Sequence, residues 1–326
     1  MLVTGADGFV GYWLANALVA RGAQTFALIG PDSSSNEKFR RRETGIKVVP
    51  GNITDLNFIS RLLADSAIEI VYHLAAINTN TGTDRSPYEI FETNIRGVYT
   101  ILEACRTAPK PARAVVASSK EVEDCFLSGA NRPHHPYMTS KAAAELVARA
   151  YGDTSGLSVA LVRSDNIYGG GDFNWSRLVP GTIRAILHGE TPVIRSNGLF
   201  QRDYVYIEDA VAAYMAIGAR LDNPAVKGQL FRVATGLRTS VLDMVKQIAR
   251  ATGRPDLKPR VLNEKSEERI DVFYTPEFEQ TVLGWKSRHP LEEGLSRTCG
   301  WYRNFFKEDA SRSGAPGNKE TVNLIE

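Results

Sequence analysis

The sequence predicts an α/β fold, a doubly wound parallel sheet with helices on both faces, and three observations predict it. Short apolar runs alternate with amphipathic helical patterns through about the first 166 residues. A glycine-rich turn joins the first apolar run to the first helical pattern. The chain is 326 residues long and 43% apolar, enough for one large domain or two unequal lobes around a substantial core.

The elements follow in order. Leu2-Val3-Thr4 is a short apolar strand, followed by Gly5-Ala6-Asp7-Gly8-Phe9-Val10-Gly11 and a helix whose apolar positions are Trp13, Leu14, Ala17, Leu18 and Ala20. Gly22 closes that helix, and Thr25–Ile29 reads as a buried strand. The cycle then repeats: strand 47–49, helix 58–63, strand 69–73, helix 90–106, strand 114–117, helix 137–151 and strand 158–162. Beyond Asn166 the rhythm breaks. Glycines, prolines and aromatics crowd residues 168–206, which predicts irregular structure suited to a binding cleft. Helical patterns return at 208–221 and 240–252, and the polar stretch 308–326 is expected to be a disordered tail.

Composition removes several classes of function. With 39 basic against 37 acidic side chains the net charge is +2, too small to favour a nucleic-acid backbone. No apolar run reaches the ~18 residues of a membrane span, and no signal-peptide pattern opens the chain. Cys105, Cys125 and Cys299 are odd in number and widely spaced, which points to a reducing cytoplasm rather than to disulfides or zinc. The five histidines show no metal-ligand spacing, so no metal is expected.

The chemistry begins at the glycines. Gly5, Gly8 and Gly11 lie between a strand and a helix, where glycine lets the backbone turn tightly and approach a pyrophosphate. The N-terminus of the helix that follows offers N–H groups and the positive end of its dipole to that anion. Tyr137 and Lys141 are four apart on a predicted helix and share one face. A phenol with an ordinary pKa of ~10 is a poor base at neutral pH, and a nearby ammonium stabilises its phenolate. Such a tyrosine takes the proton of a hydroxyl while hydride leaves the same carbon for a nicotinamide.

The G-x-x-G-x-x-G spacing resembles the extended short-chain dehydrogenase/reductase family, the NAD-dependent sugar-nucleotide epimerases and dehydratases. So do Tyr72-His73-Leu74-Ala75-Ala76, Asn94-Ile95-Arg96-Gly97-Val98, Asn166-Ile167-Tyr168-Gly169, Arg202-Asp203-Tyr204 and Leu283-Gly284-Trp285, in the family's order. The resemblance implies a Rossmann-like NAD-binding domain over 1–166, with part of 199–230 returning to it. It also implies a smaller mixed α/β substrate-binding lobe from 167–198 and 231–307. Cofactor-binding positions carried over are Gly5, Gly8, Phe9, Val10, Gly11, Asp32, Asn52, Ile53, Leu74, Ala75, Ala76, Asn94, Tyr137 and Lys141. Asp32 lies a few residues later than the family's ribose-binding acid, and Asn52 stands where members often place Asp against adenine. Arg40-Arg41-Arg42 would suit the 2′-phosphate of NADP, but such a run reads first as a solvated loop face, so NAD is favoured.

The resemblance implies a catalytic triad of Ser119, Tyr137 and Lys141. In the family's 4,6-dehydratases the base that takes the C5 proton stands two places after the serine, which here is Glu121. The place between, often an acid for the leaving C6 hydroxyl, holds Lys120, which would donate a proton or merely pair with Glu121 or Glu123. The family's Tyr-Gly after Val122 is replaced by Glu123-Asp124, and a solvated acidic turn is the plain alternative for this loop. Segment 169–180 resembles CDP-glucose 4,6-dehydratases. Candidate substrate contacts are Asn166, Trp175, Arg177, Arg202 and Arg269. Arginine's planar fork suits a diphosphate, and Trp175 would either stack on a base or pack within the lobe.

These readings predict an NAD-dependent nucleotide-sugar 4,6-dehydratase. The alternatives are a 4-epimerase, a uronic-sugar decarboxylase, or a dinucleotide-binding regulatory protein without catalysis. The resemblance also implies a cytoplasmic homodimer paired through helices 90–106 and 137–151.

Overall fold

The structure is a computed structural model that describes residues 1–31, 45–78, 85–127, 135–265 and 273–313. In chain order the first elements are β1 (Leu2–Thr4), α1 (Phe9–Ala20), β2 (Thr25–Ile29), β3 (Ile46–Pro50), α2 (Leu56–Asp65) and β4 (Ile70–His73). Next come α3 (Pro87–Phe91), a π-turn (Glu92–Arg96), α4 (Gly97–Thr107), β5 (Arg113–Ala117), α5 (Val122–Leu127), α6 (Pro136–Ser155), β6 (Val159–Ser164) and β7 (Asn166–Tyr168). Then follow α7 (Leu178–Leu187), β8 (Val193–Ile194), β9 (Gln201–Arg202), β10 (Tyr204–Tyr206), α8 (Ile207–Gly218) and β11 (Leu230–Val233). The last are β12 (Thr239–Ser240), α9 (Val241–Ala251), β13 (Arg260–Val261), α10 (Glu277–Leu283) and α11 (Leu291–Ser313).

The chain divides into two compact units. The first comprises Met1–Asp165, Ala210–Val233 and Pro276–Lys286, and holds a seven-stranded sheet in the order β11-β6-β5-β4-β1-β2-β3. Every neighbouring pair in it is parallel. Strand order reverses between β1 and β4, and in an open α/β sheet ligands bind at the carboxyl ends beside that reversal.

Alternation along the strands explains why both faces are covered. Leu2, Leu28, Val71, Ala114, Val116 and Leu161 pack with Ile59 and Leu63 of α2, Ile101 and Leu102 of α4 and Ala148 of α6 in one buried cluster. The alternate residues Val3, Ala27, Tyr72, Val115 and Ala160 are just as buried from the other face. Tyr72 packs so tightly on α8 that a Cβ on Gly218 would lie 2.0 Å from its hydroxyl.

Local chemistry fixes several helix ends. Asp55 caps α2 by accepting from the N–H of Phe58 at 2.9 Å. Ser86 and Glu89 form a reciprocal capping box on α3, with Pro87 opening the helix. Pro136 opens α6 in the same way, and Gly156 closes it in the left-handed conformation at φ 67°.

The second unit comprises Asn166–Asp209, Ala234–Thr275 and Ser287–Glu326. It contains three two-stranded sheets, parallel β7–β10, antiparallel β9–β12 and parallel β8–β13. Helix α9 buries Val241, Met244, Val245, Ile248 and Ala249, the i, i+3, i+4, i+7, i+8 stripe of an amphipathic helix.

Three sequence expectations are corrected here. The single helix over 90–106 is broken by the π-turn around the buried Asn94. The region 168–206, expected to be irregular, contains α7, because Pro180 falls in the helix's first turn, where its missing N–H costs nothing. Helix α11 continues to Ser313, so the polar stretch from 308 begins as helix, while 314–326 lie outside the described residues.

Candidate active site

The glycine turn sits at the carboxyl end of β1. Gly5 has φ +64°, and a Cβ there would lie 2.7 Å from Cα of Ala75. A Cβ on Gly11 would lie 2.2 Å from the carbonyl oxygen of Gly5, so the first turn of α1 is folded directly against the loop. The Gly8 N–H donates to the Gly5 carbonyl at 3.0 Å, and Gly8 caps α1 without any side-chain acceptor. Half-buried Phe9 and Val10 occupy the first turn. A backbone cradle that side chains would fill, at an uncapped helix N-terminus, fits a dinucleotide pyrophosphate.

Leu74, Ala75 and Ala76 line the adjoining exit of β4 and are half-buried. Thr4 holds this exit: its carbonyl accepts from the N–H of Leu74 at 3.3 Å and its Oγ1 from the N–H of Ala75 at 3.2 Å. Asn94, expected against the cofactor, has both amide ends engaged within the protein. Its Oδ1 accepts from the N–H of Ile77 at 2.7 Å, and its Nδ2 donates to the Ile77 carbonyl and to Ser140 Oγ at 3.0 and 2.9 Å. It ties the β4 exit to α6. Asn52, expected against adenine, is exposed, and its Oδ1 accepts from the N–H and hydroxyl of Thr54. Ile53 is 8% exposed and packs against Gly97 in the core. Asp32 and the arginine run at 40–42 lie outside the described residues.

Helix α6 carries Tyr137 and Lys141, and two bonds fasten it to the end of β5. Lys141 Nζ donates to the carbonyl of Ala117 at 2.9 Å, and Ser118 Oγ donates to Glu145 Oε1 at 2.5 Å. Burial of Lys141 pulls its pKa down to about 8, against the opposing pull of Glu145. Glu145 in turn receives both arms of Arg163 at 2.7 Å each.

The loop after Ser119 differs from the solvated acidic turn considered from the sequence. Lys120 Nζ lies 3.0 Å from Oδ1 of Asp165, which follows β6 and whose side chain is 7% exposed. Glu121 is exposed, and its N–H donates to Ser119 Oγ at 3.3 Å. Glu123 is 7% exposed and accepts from Arg163 and Arg232.

In the second unit Asn166 donates from Nδ2 to the Asp203 carbonyl at 2.8 Å, and Arg202 sits in β9 opposite Thr239. The Asp203 carboxylate is buried and accepts from the N–H groups of Thr235 and Gly236 and from the Thr235 hydroxyl. Arg177 pairs with Asp172 at 3.0 Å. Trp175 is packed rather than open: Phe173, Tyr302 and Phe306 surround it, and the Arg184 guanidinium lies 5.1 Å over its ring. Arg269 lies outside the described residues. Among the described residues no cluster of His, Cys, Asp or Glu is placed to hold a metal ion, and no helix is long and apolar enough to cross a membrane.

Sequence reasoning missed Glu145, Asp165 and Arg232. Glu145 had a local signal, since it continues the Tyr137–Lys141 stripe one turn further along α6.

Comparison with known proteins decides the family. Residues 1–233 match the profile of the NAD dependent epimerase/dehydratase family. The chain belongs to that family. It is 31% identical over 323 residues to the UDP-glucose 4-epimerase of Mycolicibacterium smegmatis, covering 93% of this chain and 98% of the relative. It is 28% identical to the dTDP-glucose 4,6-dehydratase of the same organism, covering 93% of each. It is also 27% identical to a trifunctional UDP-glucose 4,6-dehydratase/3,5-epimerase/reductase of Arabidopsis thaliana, covering 93% of this chain. The chain spans about half the length, 46%, of that relative. Among solved structures, MoeE5 in complex with UDP-glucuronic acid and NAD superposes with a TM-score of 0.74 at 30% identity, covering 93% and 99% of the two chains. As a family member the chain has a Rossmann-like fold.

Proposed function

We propose that the chain is a nucleotide-sugar 4,6-dehydratase. One observation carries the reading: an exposed carboxylate, Glu121, stands two residues after Ser119 on a turn whose N–H is bonded to Ser119 Oγ. A 4-epimerase needs no base at that place.

In this reading Tyr137 takes the proton of the C4 hydroxyl, Ser119 orients that hydroxyl, and the Lys141 ammonium stabilises the phenolate. NAD, held at the turn of Gly5, Gly8 and Gly11, would supply the acceptor for the C4 hydride and its donor to C6, with Glu121 giving the proton back to C5. The C4 ketone acidifies the C5 proton, which Glu121 removes. Lys120, held by Asp165, gives its proton to the C6 hydroxyl as water leaves. Asn166, Arg177 and Arg202 bind the sugar diphosphate. The packing of Trp175 favours a role in holding its lobe over stacking on a base.

The 4-epimerase remains the second reading, favoured by the 31% identity to such an enzyme and by Lys120, a cation where dehydratases often carry an acid. The proposed homodimer is supported by exposed Tyr99 and Leu146, at 41% and 57%, on the helices expected to pair. A cytoplasmic setting agrees with three unbridged cysteines, two of them buried.

Incubation with a panel of nucleotide sugars and NAD in deuterated water, read by mass spectrometry, tests the activity. A product lighter by one water with solvent deuterium at C5 supports the dehydratase. A product of unchanged mass, without deuterium and with a shifted retention, overturns it in favour of the epimerase.

A further inference from the structure

Glu121 belongs to a segment that is anchored at both ends on one buried guanidinium. At the near end, Ser118 Oγ donates to Glu145, and Glu145 holds Arg163 through both of its oxygens. At the far end, Glu123 Oε1 accepts from Arg163 Nη1 at 3.0 Å. The same oxygen accepts from Arg232 Nε at 2.9 Å, and Arg232 Nη2 lies 2.8 Å from it. Arg163, Glu145 and Glu123 are 7%, 2% and 7% exposed. Arg163 therefore joins α6, with Tyr137 and Lys141, to the turn that presents Glu121.

Charge balance does not require this arrangement. Glu145 already neutralises Arg163, so Glu123 enters the interior with a counter-charge of its own from β11, Arg232. Burying an additional pair adds little net stability, because desolvation offsets most of the attraction. Its effect is geometric. In a turn closed by i→i−3 bonds residues two apart project from different sides, so fixing Glu123 inward leaves Glu121 on the exposed side. Two backbone bonds make the turn stiff enough to transmit that direction: Val122 N–H to the Ser119 carbonyl at 3.2 Å, and Glu123 N–H to the Lys120 carbonyl at 3.1 Å.

We infer that Glu123, clamped between Arg163 and Arg232, is a positioning residue that aims the Glu121 carboxylate at the substrate. The inference rests on the proposed role of Glu121 as the C5 base.

The test uses the full chain with Glu123→Gln, Arg232→Met, the double variant and Glu121→Gln. Melting temperature, KM for the nucleotide sugar and exchange of the C5 proton with deuterated water are measured on each. With Glu123→Gln, C5 exchange should fall about 10- to 100-fold, the loss expected when a reacting group is misplaced by about 1 Å, while KM stays within about twofold. Arg232→Met should lower exchange less, because Arg163 still holds Glu123. The double variant should recover melting temperature without recovering exchange, which a purely stabilising pair would not do.

Unchanged exchange in Glu123→Gln, beside a large loss in Glu121→Gln, overturns the positioning role alone. Unchanged exchange in Glu121→Gln overturns the base and the positioning role together. If Glu123→Gln does not fold, Arg232→Met decides: exchange equal to the parent's overturns the inference, and a selective loss supports it.

Discussion

Lys141 donates from Nζ to the carbonyl oxygen of Ala117 at 2.9 Å, joining the second turn of the helix that bears Tyr137 to the last residue of the strand that leads to Ser119. The ammonium is held in the interior, where burial lowers its pKa to about 8 from 10.5. An unfolded chain keeps that proton more readily, so the stability penalty is complete below pH 8 and fades as pH rises toward 10.5. Lys141→Met should therefore raise the melting temperature of the cofactor-free protein at pH 7, with the advantage shrinking above pH 8. Turnover should fall at least about 100-fold in the same variant. Calorimetry across pH and a turnover assay check both.

Tyr137→Phe keeps the ring and removes the hydroxyl. Turnover should fall about 100- to 10,000-fold, with NAD affinity changed little. Isothermal titration with NAD and single-turnover kinetics measure the two separately.

Gly11→Ala places a methyl group 2.2 Å from the Gly5 carbonyl, so the glycine turn must open. Stability should drop by about 1–3 kcal/mol, as for other overpacked sites, and NAD binding should weaken with it. Denaturant unfolding and NAD titration give the two values.

Trp175→Ala should cost up to about 3–5 kcal/mol, because the half-buried indole packs on Phe173, Tyr302 and Phe306. Trp175→Phe should lose much less stability and leave KM near the parent value. A large rise in KM for Trp175→Phe would instead mean that the indole contacts substrate.

His73 is buried, with Nδ1 2.8 Å from Thr4 Oγ1, and burial next to Lys141 pulls its pKa down to about 3. Its unfolded value is 6.5, so the unfolded chain gains the proton first as pH falls. Stability should decline between pH 6.5 and 3, and His73→Gln should flatten that decline. Urea unfolding at several pH values measures the slopes.

What the sequence determined by itself was local. Alternating apolar runs specify the parallel sheet, because burial on both faces leaves no polar side to the strands. The glycines at 5, 8 and 11 are set by a turn of a few residues, and Tyr137 with Lys141 by one turn of helix. Helix α7 was hidden because Pro180 reads as a breaker, although it is tolerated at the start of a helix. The partners of the charged groups depended on tertiary structure. Lys120 meets Asp165 at the end of the adjacent strand, and Glu123 meets Arg232 from 109 residues away. Charge carries no period along a sequence as hydrophobicity does. Its pairing is decided where strands from distant segments come side by side and the excluded water leaves each buried charge in need of a counter-charge.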